Sequence, residues 1–297
     1  MPHEIVELAA LSRILVKAGL ISDEAVAVAG GGTSLLSALH ASLREDTGSI
    51  AGLIADVARL TELVRDRLTG DMYGAFTCAL RHIRRTARSA HGNSEALSQV
   101  MVDILRFSAS VAGLAAENMV RGGGWLFLEL GRRVERAKSI CTQVGFALQQ
   151  QPSHLEPALR LVLELCDSLI TYRTRYLTVL QAAPVLDLVL ADDGNPRGLA
   201  FQLASIGNLL DQIAGPGDRT LSGVATDLLA GVQAMVNRLA DSPDQAAAAV
   251  QLPEILHRHA DTIAVLSDNV TRLYFALLPP IQTVGTGAEF SSLAGAA

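Results

Sequence analysis

Residues 114–150 read LAAENMVRGGGWLFLELGRRVERAKSICTQVGFALQQ, and this stretch decides the fold class. Apolar side chains recur on one side of a helix drawn at about 100° per residue, as Leu130, Val134 and Cys141 show. The spacing predicts one long helix over the whole stretch, with its core face on that side. The three glycines at 122–124 indicate either a break in this helix or the close approach of another element to the bare backbone.

Helical periodicity of the same kind continues on both sides of this stretch, and no part of the sequence shows strand-like alternation. The chain has 297 residues, 49% of them hydrophobic and only 4% aromatic, and a composition rich in Ala and Leu favours helices over a β-sandwich. We therefore predict an all-α protein, a large antiparallel bundle of about eight to ten helices. We expect one domain over residues 1–280 and a disordered tail, rich in Gly, Ser, Thr and Ala, over residues 281–297.

Composition and charge also exclude several classes of protein. A net charge of −6 disfavours nucleic acid as a partner. No charge-free apolar run reaches the ~18 residues of a membrane-spanning helix, and Glu4 and Glu7 interrupt the start, where a signal peptide has its apolar core. Cys78, Cys141 and Cys166 are odd in number and lie in apolar patterns, which is typical of reduced thiols. We therefore expect a cytoplasmic protein that binds neither nucleic acid nor a membrane.

The polar side of the predicted helix places charges around the chain's single tryptophan. One interpretation is a solvated face, held by i,i+3 and i,i+4 ion pairs worth about 0.2–0.5 kcal/mol each. The other is a wall that faces a ligand, because the arc contains no Lys and because arginines bind carboxylates and phosphates in bidentate fashion. An arc of roughly 80° holds Glu117, Arg121, Trp125, Leu128, Arg132, Glu135 and Ser139, with Asn118 and Arg136 at its edges.

A second polar segment covers residues 172–197. Tyr172 and Tyr176 lie four residues apart, on one helix face, beside Arg173 and Arg175. This pattern is typical of half-buried tyrosines at the rim of a core, with arginines that extend to solvent. It is also compatible with a polar wall that binds a ligand.

The sequence Asn195-Pro196-Arg197 at the end of this segment indicates the N-cap and first turn of a helix. Asp187, Asp192 and Asp193 precede it and are usual turn and cap residues, although closely spaced carboxylates also bind Mg²⁺. An enzyme that binds a small molecule, with Mg²⁺ near Asp187 and Asp193, is therefore a remote hypothesis, after the two that are given below. No set of Cys, His and carboxylates has zinc-site spacing, and our main prediction includes neither a metal nor a cofactor.

A basic stripe is formed by Arg81, Arg84, Arg85 and Arg88 on a helix predicted over residues 72–89. Such a stripe is usually a solvated face. It can also contact a phosphate or an acidic partner.

A set of sequence motifs occurs in a characteristic order along the chain. They are VRDRL at 64–68, ENMVR at 117–121, GWLFLELGRRVERA at 124–137, YRTRY at 172–176, VLDLVL at 185–190 and NPRGL at 195–199. In combination and in order they resemble the alpha-E domain family. The resemblance covers roughly residues 34–277 and is densest over 115–213.

This resemblance implies a bacterial, all-helical protein that occurs beside, or fused to, circularly permuted ATP-grasp proteins and near transglutaminase-like proteins. It further implies a part in a carboxylate–amine ligase system that acts on peptides or small amino compounds. The family's usual opening motif, of the type Trp-Leu-Gly-Arg-Tyr-x-Glu-Arg-Ala-Glu, has a counterpart here only in Gly131-Arg132 and Glu135-Arg136-Ala137. We therefore expect either a C-terminal portion of a longer fused protein or a chain that carries half of the family's site.

Our leading hypothesis is an accessory or catalytic helical domain of an ATP-grasp-linked carboxylate–amine (peptide or amide) ligase system. An Arg/Glu cleft would bind a carboxylate or an acyl phosphate, and a glutamate would act as general base for the incoming amine. The expected partners are an ATP-grasp protein, fused or separate, and a transglutaminase-like protein, and a homo-oligomer stays open. The alternative is a non-catalytic module whose Arg/Glu network only stabilises the bundle and docks a partner. The predicted catalytic residues are Glu135 and Glu117, and the predicted substrate-binding residues are Arg121, Trp125, Arg132, Arg136, Tyr172, Arg173, Tyr176, Asn195 and Arg197.

Overall fold

The structure of the chain is a computed structural model. None of the residues it describes forms a β-strand, and its regular elements are all helical, which confirms the predicted all-α fold. The tail predicted to be disordered, residues 281–297, lies outside the described residues. The described residues are 2–24, 32–44, 50–90, 93–149, 154–176, 179–215 and 217–275.

We number the α-helices in chain order. A 3₁₀ turn at Arg65–Arg67 and a π-helical segment at Asp187–Ala191 accompany them. The α-helices are α1 (Pro2–Lys17), α2 (Gly32–Ser42), α3 (Ile50–Leu63), α4 (Gly70–Ser89), α5 (Ser94–Asn118), α6 (Gly123–Leu148), α7 (Leu155–Leu165), α8 (Leu169–Tyr176), α9 (Ala182–Leu186), α10 (Leu199–Ala214), α11 (Thr220–Ala240), α12 (Gln245–Ala249) and α13 (Leu252–Phe275).

Helix α6 is the central helix of the larger core, where it packs against α1, α7, α10 and α13. Its apolar side chains recur at helical spacing and are buried, as Leu130, Val134 and Cys141 show. Each buried Leu or Val side chain contributes about 1.5–3 kcal/mol relative to an exposed one. Because these neighbours cover the apolar stripe, the charged side of α6 is left to line a surface cleft.

Helices α3, α4 and α5 are joined by a smaller apolar cluster of their own. Ile54 of α3, Leu80 of α4 and Val100 of α5 are buried in it. Next to this cluster the ring of Phe76 meets that of Phe107 edge-on, with 5.8 Å between the ring centroids. The two sides of α4 therefore hold α3 and α5 in place.

The glycine triplet divides the stretch that was predicted to be one helix. Of the two alternatives that the glycines left open, the break is confirmed, because α5 ends at Asn118 and α6 begins at Gly123. Gly123 has a φ of +36°, a conformation that residues with side chains rarely adopt. A Cβ at Gly122 or Gly123 would meet nothing within 4 Å, so these glycines serve a turn and not a close helix contact. Consequently Glu117 loses its phase relation to the charged face of α6.

A second turn separates α7 from α8. Asp167 lies in this turn at a φ of +49°, and aspartate tolerates this left-handed conformation better than most residues do. The turn brings a carboxylate oxygen of Asp167 to 3.2 Å from a guanidinium nitrogen of Arg197. The fold thus joins the end of α7 to the turn that precedes α10.

The π-helical segment Asp187–Ala191 follows α9 and packs against α10 and α11. Its side chains Leu188, Val189 and Leu190 are fully buried. At its end the Asp192 N–H donates a hydrogen bond to the Asp187 carbonyl at 2.9 Å, the i→i+5 spacing of a π-helix. Because the segment is buried, it firmly anchors the turn that carries Arg197.

Among the described residues, α5 is the one helix that is long and apolar enough to cross a membrane by length and composition alone. The middle of this helix carries Asp103 and Arg106, which form an ion pair at 3.4 Å. Asp103 is buried and also lies 3.2 Å from Nε2 of His82 on α4. Leu97 and Val100 are buried in the cluster that joins α5 to its neighbours.

Candidate functional site

A cleft of about 390 Å³ opens beside α6, at the turn that precedes α10. Its charged lining consists of Arg132, Glu135 and Arg136 from α6 and Arg197 from the turn. We call it the arginine cleft. Its other lining residues are Ser108 of α5, Ser139, Ile140 and Gln143 of α6, and Leu165 and Cys166 at the end of α7.

The α6 side of the arginine cleft follows from helical spacing. Arg132, Arg136, Ser139 and Gln143 recur at intervals of four, three and four residues, so they lie on one side of the helix. The buried stripe of α6 lies on another side and faces the core. The helical projection of the sequence had grouped Arg132, Arg136 and Ser139 but not Gln143, and Arg197 joins them only through the fold.

Arg136 carries the least compensated charge of the cleft. It makes no ion pair or hydrogen bond with any residue that the structure describes. Burial lowers its pKa, and the positive charges of Arg197, Arg132 and Arg133 lower it further. A guanidinium surrounded by like charges is stabilised by an anion, because the anion offsets the repulsion.

Arg132, by contrast, is held by a buried carboxylate. Glu129 is 7% exposed and accepts hydrogen bonds from Nη1 of Arg132 and, at 3.2 Å, from Nη2 of Arg133. Both arginines are only partly exposed, so solvent screens these pairs less than it screens a surface ion pair. Glu129 thus orients Arg132 at the wall of the cleft.

The same network connects α6 to α10. Nη1 of Arg133 lies 3.3 Å from Oε1 of Gln202, and its guanidinium lies 5.3 Å from the centroid of the Phe201 ring. Gln202 is fully buried, and its amide donates a 2.7 Å hydrogen bond to the carbonyl of Pro196. Neither Glu129 nor Gln202 is among the residues predicted from the sequence, although Glu129 lies three and four residues before two arginines, which is the spacing of helical ion pairs.

Asn195 positions the turn and does not line the cleft. Its buried side chain donates to the carbonyl of Leu188 at 2.9 Å and to the hydroxyl of Ser168 at 3.2 Å. Its Oδ1 accepts a hydrogen bond from the Arg197 N–H at 3.0 Å, which forms an Asx turn. The prediction that Asn195 caps the helix is wrong, because α10 begins at Leu199 with Gly198 as its N-cap. Arg197 itself is half-exposed, and its ion pair with Asp167 holds its guanidinium at the cleft wall.

Glu135 supplies the one carboxylate of the cleft lining. It is exposed, and its oxygens lie 3.4 Å from the ammonium group of Lys138. Lys138 is partly exposed and lies three residues along the same helix. A carboxylate at the rim, beside three arginines, can accept a proton from a ligand that reaches the cleft.

The predicted residues before the helix break lie apart from this cleft. Glu117 is exposed near the end of α5. The guanidinium of Arg121 donates to the Ala116 carbonyl at 2.6 Å and stacks over the Trp125 ring at 4.4 Å from its centroid. The indole N–H of Trp125 is buried with no hydrogen-bond partner in the described part of the chain, while its ring packs against the larger core. Arg121 and Trp125 contact each other, and none of the three residues lines the arginine cleft.

The tyrosine cluster has a structural role. Tyr172 was expected to be half-buried but is fully buried, because its hydroxyl finds polar partners inside the fold. That hydroxyl lies 3.3 Å from both the Val179 carbonyl and the Gln181 N–H, which allows it to donate to the first and accept from the second. Its ring lies 5.0 Å from that of Tyr176, while Arg173 is exposed. None of these side chains lines the arginine cleft.

The aspartates considered for Mg²⁺ have other partners. Asp192 forms an ion pair with Arg175 and accepts the Gly194 N–H at 2.8 Å. Burial, followed by the charge of Asp192, raises the pKa of Asp187. Within the described ranges, no group of three or more His, Cys, Asp or Glu side chains is placed to hold a metal ion.

The fold and the site together define an all-helical domain with a small cleft lined by three arginines and one glutamate. The chain belongs to the Alpha-E family, described as a predicted alpha-helical domain with a conserved ER motif, which it matches over residues 11–275. Glu135-Arg136 is the only Glu-Arg pair in its sequence, and both residues line the arginine cleft.

Two relatives are the uncharacterized proteins Rv2567 of Mycobacterium tuberculosis (strain ATCC 25618 / H37Rv) and Mb2597 of Mycobacterium bovis (strain ATCC BAA-935 / AF2122/97). Each is 27% identical to the chain over 161 residues. The matched stretch covers 52% of this chain but only 18% of each relative. No solved structure matches the chain significantly.

Proposed function

We propose that the arginine cleft binds a carboxylate or an acyl phosphate in a cytoplasmic, ATP-grasp-linked carboxylate–amine ligase system. The observation that carries this proposal is Arg136, an exposed arginine at the cleft wall with like charges around it and no anionic partner among the described residues. An acyl phosphate or a carboxylate supplies that missing negative charge. Arg132 and Arg197 then contact the same anion from either side.

The residues present suit one step of such a reaction. An ATP-grasp partner supplies an acyl phosphate, and the lone pair of the incoming amine attacks its carbonyl carbon. The C–O bond to phosphate breaks, the phosphate leaves with the electron pair of that bond, and the amide C–N bond forms. The proton released by the amine passes to the carboxylate of Glu135, while the arginines stabilise the charge that develops on the phosphate.

The partner is proposed to be an ATP-grasp protein, fused or separate, and a transglutaminase-like protein is a further candidate. The length of the two mycobacterial relatives supports a larger assembly, since the matched stretch is 18% of each of them. Glu117 lies outside the cleft lining, so the proposal assigns the proton transfer to Glu135 alone.

A structural module is the second candidate, and a specific observation favours it. Glu129, Arg133 and Gln202 form an internally closed network that joins α6 to α10 without any ligand. If the Glu-Arg motif served only to support this network, Arg136 would have no function, because it makes no hydrogen bond or ion pair with the network. The two candidates therefore differ in what removal of the Arg136 guanidinium does.

The test measures amide formation by an ATP-grasp protein from the same organism, in the presence of the chain as Arg136→Ala, Glu135→Gln or wild type. We expect either substitution to lower the rate by about tenfold or more, since each removes a charge-assisted contact. Arg238→Ala, which removes an exposed arginine from α11, should leave the rate unchanged. Unchanged rates with folded Arg136→Ala and Glu135→Gln chains contradict the proposal and favour the structural module.

A further inference from the structure

A second basic cavity lies between α3 and α4, and none of its residues belongs to the arginine cleft. Its volume is about 1000 Å³. We call it the basic groove and define it by Arg81, Arg84, Arg85 and Arg88 of α4, with Ala58 of α3 and Leu80 of α4 as its apolar base.

A smaller cavity of about 310 Å³ adjoins the basic groove. It shares Arg84 and Arg88 with the groove. It adds a fifth arginine, Arg44, and the apolar side chains of Ala51 and Ile54. The two cavities form one elongated depression along the contact of α3 with α4.

The charges of the basic groove are largely unpaired. Arg85 lies 3.3 Å from Nδ1 of His82, but Arg81, Arg84 and Arg88 have no hydrogen bond or ion pair with any described residue. The carboxylate among the lining residues, Glu62, accepts a hydrogen bond from the Tyr73 hydroxyl at 2.8 Å. A stripe of this kind stands out in a chain whose net charge is −6. It has a strong attraction for an anionic partner.

The spacing of the arginines indicates the shape of that partner. Positions 81, 84, 85 and 88 follow the i, i+3, i+4, i+7 pattern, so the guanidinium groups rise over about 10 Å along α4. Carboxylates at the same intervals on another helix rise by the same distance and pair with them in bidentate fashion. The apolar base between α3 and α4 can contact the apolar stripe of such a partner helix.

Other anions fit this groove less well. Phosphate sites usually add backbone N–H groups from a helix N-terminus or a glycine-rich loop, whereas the four groove arginines all come from inside α4. The chain's own C-terminal residues, 276–297, do not match, because they contain two prolines and a single acidic residue, Glu289. We propose that the basic groove is the docking site for an acidic amphipathic helix of a partner protein.

The experiment titrates the full chain with a fluorescently labelled synthetic helix that has Glu at i, i+3, i+4 and i+7 beside a Leu/Ala stripe. The control peptide has the same composition with the Glu residues distributed around the helix. We expect the patterned peptide to bind about tenfold more tightly than the control, and its binding to weaken as salt is raised.

Charge reversal locates the site. Arg84→Glu/Arg88→Glu should weaken binding of the patterned peptide by about tenfold or more, and Arg84→Gln/Arg88→Gln by a smaller factor, with circular dichroism to confirm that each variant is folded. Arg238→Glu/Arg272→Glu, which reverses two exposed arginines of α11 and α13, is the matched control and should bind as the wild type does. Equal binding of the two peptides, binding unaffected by the groove variants, or tighter groove-dependent binding of inorganic polyphosphate or phosphatidylserine vesicles overturns the proposal.

Discussion

Arg136 of α6 and Arg197 of the turn before α10 line the same cleft. The pKa of Arg136 is lowered first by desolvation and next by the positive charge of Arg197. Two like charges are held together here by the fold, since Arg197 is anchored by Asn195 and Asp167, and Arg136 by its position on α6. An anion bound between the two guanidinium groups would offset this repulsion, because an opposite charge stabilises their charged form. The arrangement is therefore the strongest indication that the cleft binds an anion.

The buried carboxylate of Glu129 should be important for stability. Glu129→Gln removes the negative charge that holds Arg132 and Arg133, two partly buried guanidinium groups. We expect the free energy of unfolding, measured by urea denaturation, to fall by about 2–4 kcal/mol. Glu164→Gln breaks an exposed pair with Arg160 and should change it by about 0.5 kcal/mol or less. If Glu129→Gln lowers the free energy of unfolding no more than Glu164→Gln does, the network does not stabilise the fold.

Asn195→Ala tests the anchoring of the turn. The substitution removes the donor to the Leu188 carbonyl and the acceptor for the Arg197 N–H inside a buried environment. We expect a loss of about 1.5–3 kcal/mol in the free energy of unfolding. Asn208→Ala, an exposed position on α10, is the control and should be nearly neutral. An equally small effect at Asn195 contradicts the anchoring role.

Thiol labelling should distinguish the three cysteines. Burial raises the pKa of Cys141 and of Cys166 to about 12, whereas Cys78 is exposed. Since the thiolate is the reactive form, iodoacetamide at about pH 8 should label Cys78 alone in the native chain and all three residues in denaturant. Mass spectrometry of the labelled peptides measures this. Rapid native labelling of Cys166, which lies at the cleft, would mean that the cleft is more open than described.

The same two thiols make stability depend on pH in the alkaline range. Above about pH 9 the two thiols lose their protons in the unfolded chain, whereas in the folded chain they keep them up to about pH 12. The unfolded state therefore binds fewer protons than the folded state in this range. Consequently the free energy of unfolding falls as pH rises. The slope is at most about 1.4 kcal/mol per pH unit per thiol. Cys141→Ala/Cys166→Ala should show a shallower decline between about pH 9 and 11 in urea denaturation. An identical slope would contradict the burial of these thiols.

The sequence predicts the fold class, which the structure confirms, and it groups the charged residues of α6, because both depend on helical spacing. Arg132, Glu135 and Arg136 project from α6 as the sequence pattern indicates. The break at Gly123 was left open by periodicity, because periodicity gives no information on φ, and the break separates Glu117 from the cleft. Arg197 reaches the cleft through a buried π-helical segment and a turn, contacts that only the folded chain defines.

The burial of these polar side chains could not be predicted from the sequence. Tyr172 is a core residue because the Val179 carbonyl and the Gln181 N–H satisfy its hydroxyl, and neither partner is evident from the pattern around the tyrosine. Glu129 is similar, since a glutamate among leucines predicts an exposed position until its two arginines are seen to fold over it. Both cases depend on partners that compensate the loss of water.

The central claim is that Arg136 binds an anion in the arginine cleft. Isothermal titration calorimetry with acetonylphosphonate, a stable analogue of acetyl phosphate in which CH2 replaces the bridging oxygen, tests it most directly on the wild type, Arg136→Ala and the control Arg238→Ala. We expect the first and third chains to bind alike and Arg136→Ala to bind about tenfold more weakly or worse, with a free energy of unfolding within about 0.5 kcal/mol of the wild type. No binding to the wild type, or equal binding to folded Arg136→Ala, would contradict the account.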